Sequence, residues 1–195
     1  MKSIFTPRTL VLLLFMLVII GIRVIAPLSP DFKMFANLSA IGAVAIFGGA
    51  YFKNNLNAFL LPVAVLLLSD LGLFLIMGKD YGFYDGWYYT YIAFILMVTV
   101  GKLMIKKVNV QNVLGASIAA VFVHWIVSDF GYWLAQTIHP QTLAGFWACL
   151  VDAIPFELNF LYGTLVYSAI MFGAFEMLKA KYPTLSLNRN TAIHS

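Results

Sequence analysis

A single cysteine, Cys149, is all the thiol this chain of 195 residues carries. Neither an intramolecular disulfide nor a cysteine-based metal cluster is open to it. Charge is nearly as scarce: Asp, Glu, Lys and Arg make up 10% of the residues against 62% hydrophobic ones, where a soluble domain is about a quarter charged. The mean hydropathy is +0.90, so the apolar surplus calls for lipid as solvent. Signatures of catalysis are missing as well. No HExxH, GxSxG elbow or Walker loop occurs, which excludes the familiar zinc-protease, hydrolase and nucleotide-phosphate designs. The three histidines, His124, His139 and His194, are scattered. No metal and no cofactor is expected, and binding is expected rather than turnover.

What is present is a succession of apolar runs. At roughly 20 residues per crossing, the length suits five to seven spans with short loops. The pI near 9.2 reflects lysines and arginines beside the spans, the usual membrane pattern, rather than a nucleic-acid partner. We place helix one at about Thr9–Ala26, helix two at Ala36–Phe52, helix three at Ala58–Met77 with Pro62 in its first turn or so, and helix four at Trp87–Ile105. Helix five runs over Val113–Ala135 and helix six over Pro155–Leu178. Leu143–Val151 is apolar but too short to span, which suggests a re-entrant or interfacial piece. The first run resembles a signal peptide in its basic flank, but its length and the following Pro27 predict a retained helix. The expectation is an all-α membrane protein: a single six-transmembrane-helix bundle over residues 1–180, then a polar cytoplasmic tail, 181–195.

Charge placement orients the bundle. With the N-terminus in the cytoplasm, the inner segments hold Lys2, Arg8, Lys53, Lys102, Lys106, Lys107, Lys179, Lys181 and Arg189. The outer segments hold only Arg23, Lys33 and Lys79. Nine against three predicts both termini inside. Asp31, Asp80, Asp85, Asp152 and Glu157 then fall in outer loops or at outer helix ends, and Asp70, Asp129, Asn37, His124 and Asn159 fall in the outer half.

Three constellations stand out. Asp70, after Ser69, lies in an otherwise apolar helix. An ionised carboxylate in hydrocarbon costs on the order of 2.5–3.5 kcal/mol even on the lenient scale, so it needs a partner or a wet cavity. Arg23 is at similar depth, and the two form either a structural pair or a cavity floor. On helix five, His124 and Ser128 share a face, with Trp125, Asp129, Tyr132 and Trp133 on the neighbouring stripe. They read as an interfacial aromatic belt or as a binding wall. Between Tyr81 and Tyr89 lie six aromatics, Tyr84 and Trp87 among them, beside Asp80 and Asp85. They anchor the protein at the interface, or stack on a planar ligand as a lid. Cys149 reads as a small hydrophobe at a helix interface.

A family resemblance rests on Pro27-Leu28-Ser29-Pro30-Asp31-Phe32, Asn37 to Ala43, Phe47 to Phe52, Pro62 with Ser69-Asp70, Ile154-Pro155-Phe156 with Asn159, and Phe172-Gly173. In these residues the chain resembles an uncharacterised bacterial membrane family. That family is similar to the substrate-binding S components of energy-coupling factor (ECF) transporters. The resemblance implies a six-helix protein of the bacterial inner membrane that captures a vitamin-like solute from outside. It also implies as partners a transmembrane coupling subunit and separate ATPases, docked through small-residue helix faces. Helix two is rich in small residues, suited either to that docking or to internal packing. Helix one lacks the AxxxA pattern S components use for docking, which leaves a solitary carrier as the other arrangement implied. The site expected to bind a ring-containing solute is Arg23, Asn37, Asp70, Tyr84, Trp87, His124, Trp125, Asp129, Trp133 and Asn159. The rivals are a membrane enzyme with an outer-face acid/base among Asp70, Asp129 and His124, and an assembly subunit with no small ligand.

Overall fold

A computed structural model describes residues 6–28 and 38–186. Among these the chain is all helix, without a sheet. The helices are α1 (Pro7–Ile25), α2 (Ile41–Tyr51), α3 (Asn55–Met77), the single turn α4 (Lys79–Gly82), α5 (Trp87–Met104), α6 (Val110–Ala135) and α7 (Leu143–Lys181). Two 3-10 turns, Ala26–Leu28 and Pro183–Leu185, follow α1 and α7. By length and hydropathy five stretches can each cross a membrane, built on α1, α3, α5 with the α4 turn before it, α6 and α7. The protein is therefore a multi-pass membrane protein. Asn37 and the tail beyond residue 186 lie outside the described residues.

The starts of the helices follow side-chain caps. Asn54 accepts from Leu56 N at 2.8 Å and Asn109 from Asn112 N at 2.8 Å, each satisfying an otherwise orphaned N–H. These caps start α3 and α6 three residues earlier than the hydropathy predicts, and they place Pro62 in the interior of α3 rather than in its first turn. Thr142 does the same for α7, accepting from Gly145 N at 3.2 Å. Leu143–Val151 is accordingly no re-entrant piece. It is the opening of one continuous helix of 39 residues that runs through Pro155. Proline lacks the N–H that would bond the Val151 carbonyl, but the helix continues past it.

α2 is the centre of the bundle. Every one of its residues except Ala50 is buried, and it lies against α3, α5 and α7. A side chain at Gly42 would strike Thr164 of α7, one at Gly48 would strike Pro62 of α3, and one at Gly49 would strike the Val98–Lys102 backbone of α5. The small residues are thus spent on internal helix contacts, where close backbone approach replaces the hydrophobic driving force that lipid does not supply. They do not form a free docking face. Phe47 and Phe175 are fully buried on this axis, with Phe47 also edge-on to Tyr51 and Phe172.

The start of α1 and the end of α7 share one end of the bundle, the near end. There Arg8 donates to the carbonyls of Leu185 at 2.6 Å and Tyr51 at 3.1 Å, and its guanidinium lies over the Phe175 ring. Tyr51 donates to Glu176 at 2.6 Å. Arg8 thereby ties α1, α2 and the C-terminal turn. Arg8→Met is expected to cost about 1.5–3 kcal/mol, since two carbonyls lose a charged donor. Denaturant titration of the detergent-solubilised protein would check this.

Candidate functional site at the far end of the bundle

The far end gathers the polar residues of the sequence analysis, but in two separate groups. The first belongs to α1, α3 and α5. Arg23 stands in the last turn of α1 and Asp70 lies 4% exposed on α3. The Arg23 guanidinium donates to Asp70 Oδ1 at 2.6 Å and to the Ser69 hydroxyl. Tyr91 of α5 donates to Asp70 Oδ2 at 2.9 Å. Both carboxylate oxygens are therefore satisfied. Gly82 of the α4 turn lies on the Asp70 backbone so closely that any Cβ would collide with it. Trp87 packs edge-on to Phe83 at 5.4 Å and to Tyr91 at 5.1 Å between ring centroids. The aromatic loop thus folds over the Asp70 cluster, and Arg23 and Asp70 form the ion pair expected from the sequence.

The second group lies between α6 and α7. A cavity of about 350 Å³ opens there. Its polar lining is Asp129 and Tyr132 of α6, His139 of the connecting loop, and Cys149, Asp152 and Glu157 of α7. Phe156 and Ile138 add apolar wall. Asp152, with its side chain 71% exposed, marks the mouth, and Glu157, 9% exposed, marks the floor. His139 Nε2 sits 3.3 Å from Asp152 Oδ2. His124 Nδ1 sits 3.0 Å from Glu157 Oε1, and its ring stacks on Phe160 at 4.2 Å. Among the described residues that leaves Glu157 Oε2 and Asp129 Oδ2 buried without a hydrogen-bond partner. Buried polar atoms are nearly always paired, so such oxygens on two residues that line one cavity are an exception with a place attached.

The two groups touch through hydroxyls. Tyr84 bonds Thr90, and Thr90 Oγ1 lies 3.3 Å from Ser128 Oγ, next to Asp129 in sequence. Of the residues expected to bind, Asp129 lines the cavity, and His124 backs its floor through Glu157. Trp125 and Trp133 are instead held by their indole N–H groups, donating to the carbonyls of Leu150 at 3.1 Å and Pro140 at 3.0 Å. They clamp the α6–α7 junction. Arg23, Asp70, Tyr84 and Trp87 belong to the first group, and Asn159 is exposed on α7. About 100° per residue puts position 159 roughly opposite 157 on a helix, away from the cavity. Glu157, Asp152, His139 and Cys149 complete the wall and were not among the residues expected to bind. For the three on α7 the signal was the i, i+3/i+4 recurrence of Cys149, Asp152, Ala153, Phe156, Glu157 and Phe160, legible only if one helix runs through Pro155.

A further cavity of about 410 Å³ lies between the same two helices at the near end, with Asn109, Ser117, Ser168 and Glu176 in its lining. In that lining Ser117 of α6 donates to Ser168 of α7 at 3.4 Å. Among the described residues no group of three or more His, Cys, Asp and Glu side chains has the geometry to hold a metal ion.

Residues 3–185 match a family whose description reads "Family of unknown function (DUF6580)". No curated protein and no solved structure matches the chain.

Proposed function

The chain belongs to DUF6580, a family of unknown function, and on the strength of its own side chains we propose that it is a membrane-embedded solute-binding and transport protein. It captures a small, ring-containing, vitamin-like solute in the α6–α7 cavity and passes it inward. The observation that carries this reading is that two residues lining one cavity, Glu157 and Asp129, each keep a buried carboxylate oxygen with no hydrogen-bond partner among the described residues. Its volume of about 350 Å³ falls in the range of small-molecule sites, roughly 300–1,000 Å³. An assembly subunit without a ligand gains nothing from leaving these oxygens unpaired, because each costs about 1–3 kcal/mol.

Transport rather than capture alone is favoured by the second cavity. Both open on the same helix pair at opposite ends, and the Ser117–Ser168 hydroxyl bond joins the two helices in the lining of the near-end one. The surplus of lysine and arginine in the near-end segments supports a cytoplasmic near end in a bacterial inner membrane, and the Asp129–Glu157 cavity then faces outward. The fold is then six-helical and S-component-like with both termini inside. Because the small residues of α2 are internal, the protein works as a solitary carrier, and a coupling subunit with ATPases would have to dock elsewhere.

Purified protein screened by thermal shift against flavin, thiamine, biotin, corrinoid and queuosine-type compounds tests the reading. At about 100 times Kd, a true ligand stabilises by about 2.7 kcal/mol, a rise of roughly 5–10 °C for a chain of this size. A flat response to the whole panel speaks against it.

A further inference from the structure

We propose that the solute held between α6 and α7 is an organic cation, a protonated amine or similar nitrogen cation on a small apolar body. The proposal rests on the reading that this cavity is a solute site, and it names the ligand's chemistry. Three carboxylates, Asp129, Asp152 and Glu157, line the cavity, and among the described residues no lysine or arginine lines it. Histidine is the only basic partner among the described residues. His139 engages Asp152 at the mouth and His124 engages Glu157 from behind, each through one oxygen. The second Glu157 oxygen and one Asp129 oxygen remain buried and unpartnered.

A group completing these oxygens has to donate hydrogen bonds, and positive charge on it strengthens them. An ammonium offers three donors and no acceptor, and its bonds to carboxylate are about twice as strong as neutral ones. An anion would instead add its charge to a wall that already holds three carboxyl groups, and a neutral hydroxyl would satisfy one oxygen at most. The Phe156 and Ile138 surfaces receive the apolar body. The carboxylates run from the exposed Asp152 to the buried Glu157, so a cation meets attraction along the whole depth of the cleft.

Three probes of similar size decide the matter: benzylammonium, benzyl alcohol and benzoate, titrated calorimetrically into the full-length protein in nanodiscs at up to millimolar concentration. Benzylammonium is expected to bind at least about tenfold more tightly than benzyl alcohol, with benzoate weakest. Glu157→Gln, which keeps shape and removes charge, is expected to weaken benzylammonium about ten- to hundredfold and to leave benzyl alcohol within about twofold. Asp129→Asn serves as the second variant should Glu157→Gln fail to fold. Equal or preferential binding of benzyl alcohol or benzoate overturns the cation assignment while leaving the cavity as a solute site. So does benzylammonium binding that neither variant changes. Silence from all three probes overturns the assignment together with the solute-site reading.

Discussion

Arg23→Met is expected to cost about 3–5 kcal/mol of stability, the typical loss when one partner of a buried ion pair is removed. Asp70 lies 4% exposed, and its Oδ1 accepts from Arg23 at 2.6 Å. Without the guanidinium, Tyr91 is the one remaining side-chain donor to that carboxylate among the described residues. The loss reflects the stranded charge rather than the intrinsic worth of the pair. The double variant Arg23→Met/Asp70→Leu, with no charge left to strand, is therefore expected to recover most of the stability, as buried pairs replaced by apolar groups commonly do. Denaturant titrations of both variants in mixed micelles read the difference. The same proteins separate scaffold from binding site. A double variant that is stable and takes up solute like the wild type places the pair outside the transport chemistry. Lost uptake in a stable double variant would return Asp70 to the site.

Gly49→Leu is expected to cost about 3 kcal/mol, the upper end of the ordinary overpacking range. A Cβ at Gly49 would run into the Val98 carbonyl oxygen and come within 2.9 Å of Lys102 N. These are backbone atoms of α5, which a rotamer change cannot move aside. Gly101, on the facing helix, meets the Ile46 backbone of α2 in the same way, so the close approach is reciprocal. Gly21→Leu is the control, since a Cβ there meets nothing within 4 Å; it is expected to stay within about 0.5 kcal/mol of wild type. Thermal denaturation followed by size-exclusion chromatography distinguishes the two. Equal behaviour of both variants would mean that the α2–α5 contact is looser than its geometry.

Long apolar runs with polar ends were legible from the sequence, because a membrane span needs little beyond length and hydropathy. α1, α5 and α6 therefore lie within about three residues of their expected bounds. α7 was not legible as one piece. Asp152 and Pro155 interrupt its hydropathy, and proline reads as a start because it cannot bond backward, although a helix inside a bundle tolerates it. That single misreading hid the cavity wall, since Cys149, Asp152 and Glu157 share a face only on a continuous helix. Asp70 with Arg23 was found because a charge at depth demands a partner. The Glu157–His124 contact was not, since 33 positions separate the two and only the α6–α7 pairing joins them. Asn159 was chosen for its chemistry, but helical phase turns it away.

The burial of α2 bears on how the protein is made. Its helix has 11 residues, about 16 Å, well short of a hydrocarbon core of about 30 Å, and it shows almost no surface to lipid. Independent insertion of each helix followed by lateral association is therefore closed to it. The neighbours that receive it include α5, through Val98 and Gly101, and α7, through Phe160 and Thr164. Thr164 is synthesised more than 110 residues after α2 ends. Until the ribosome has delivered α7, α2 has no complete berth, and a chain truncated before it leaves the Gly42 side of α2 uncovered.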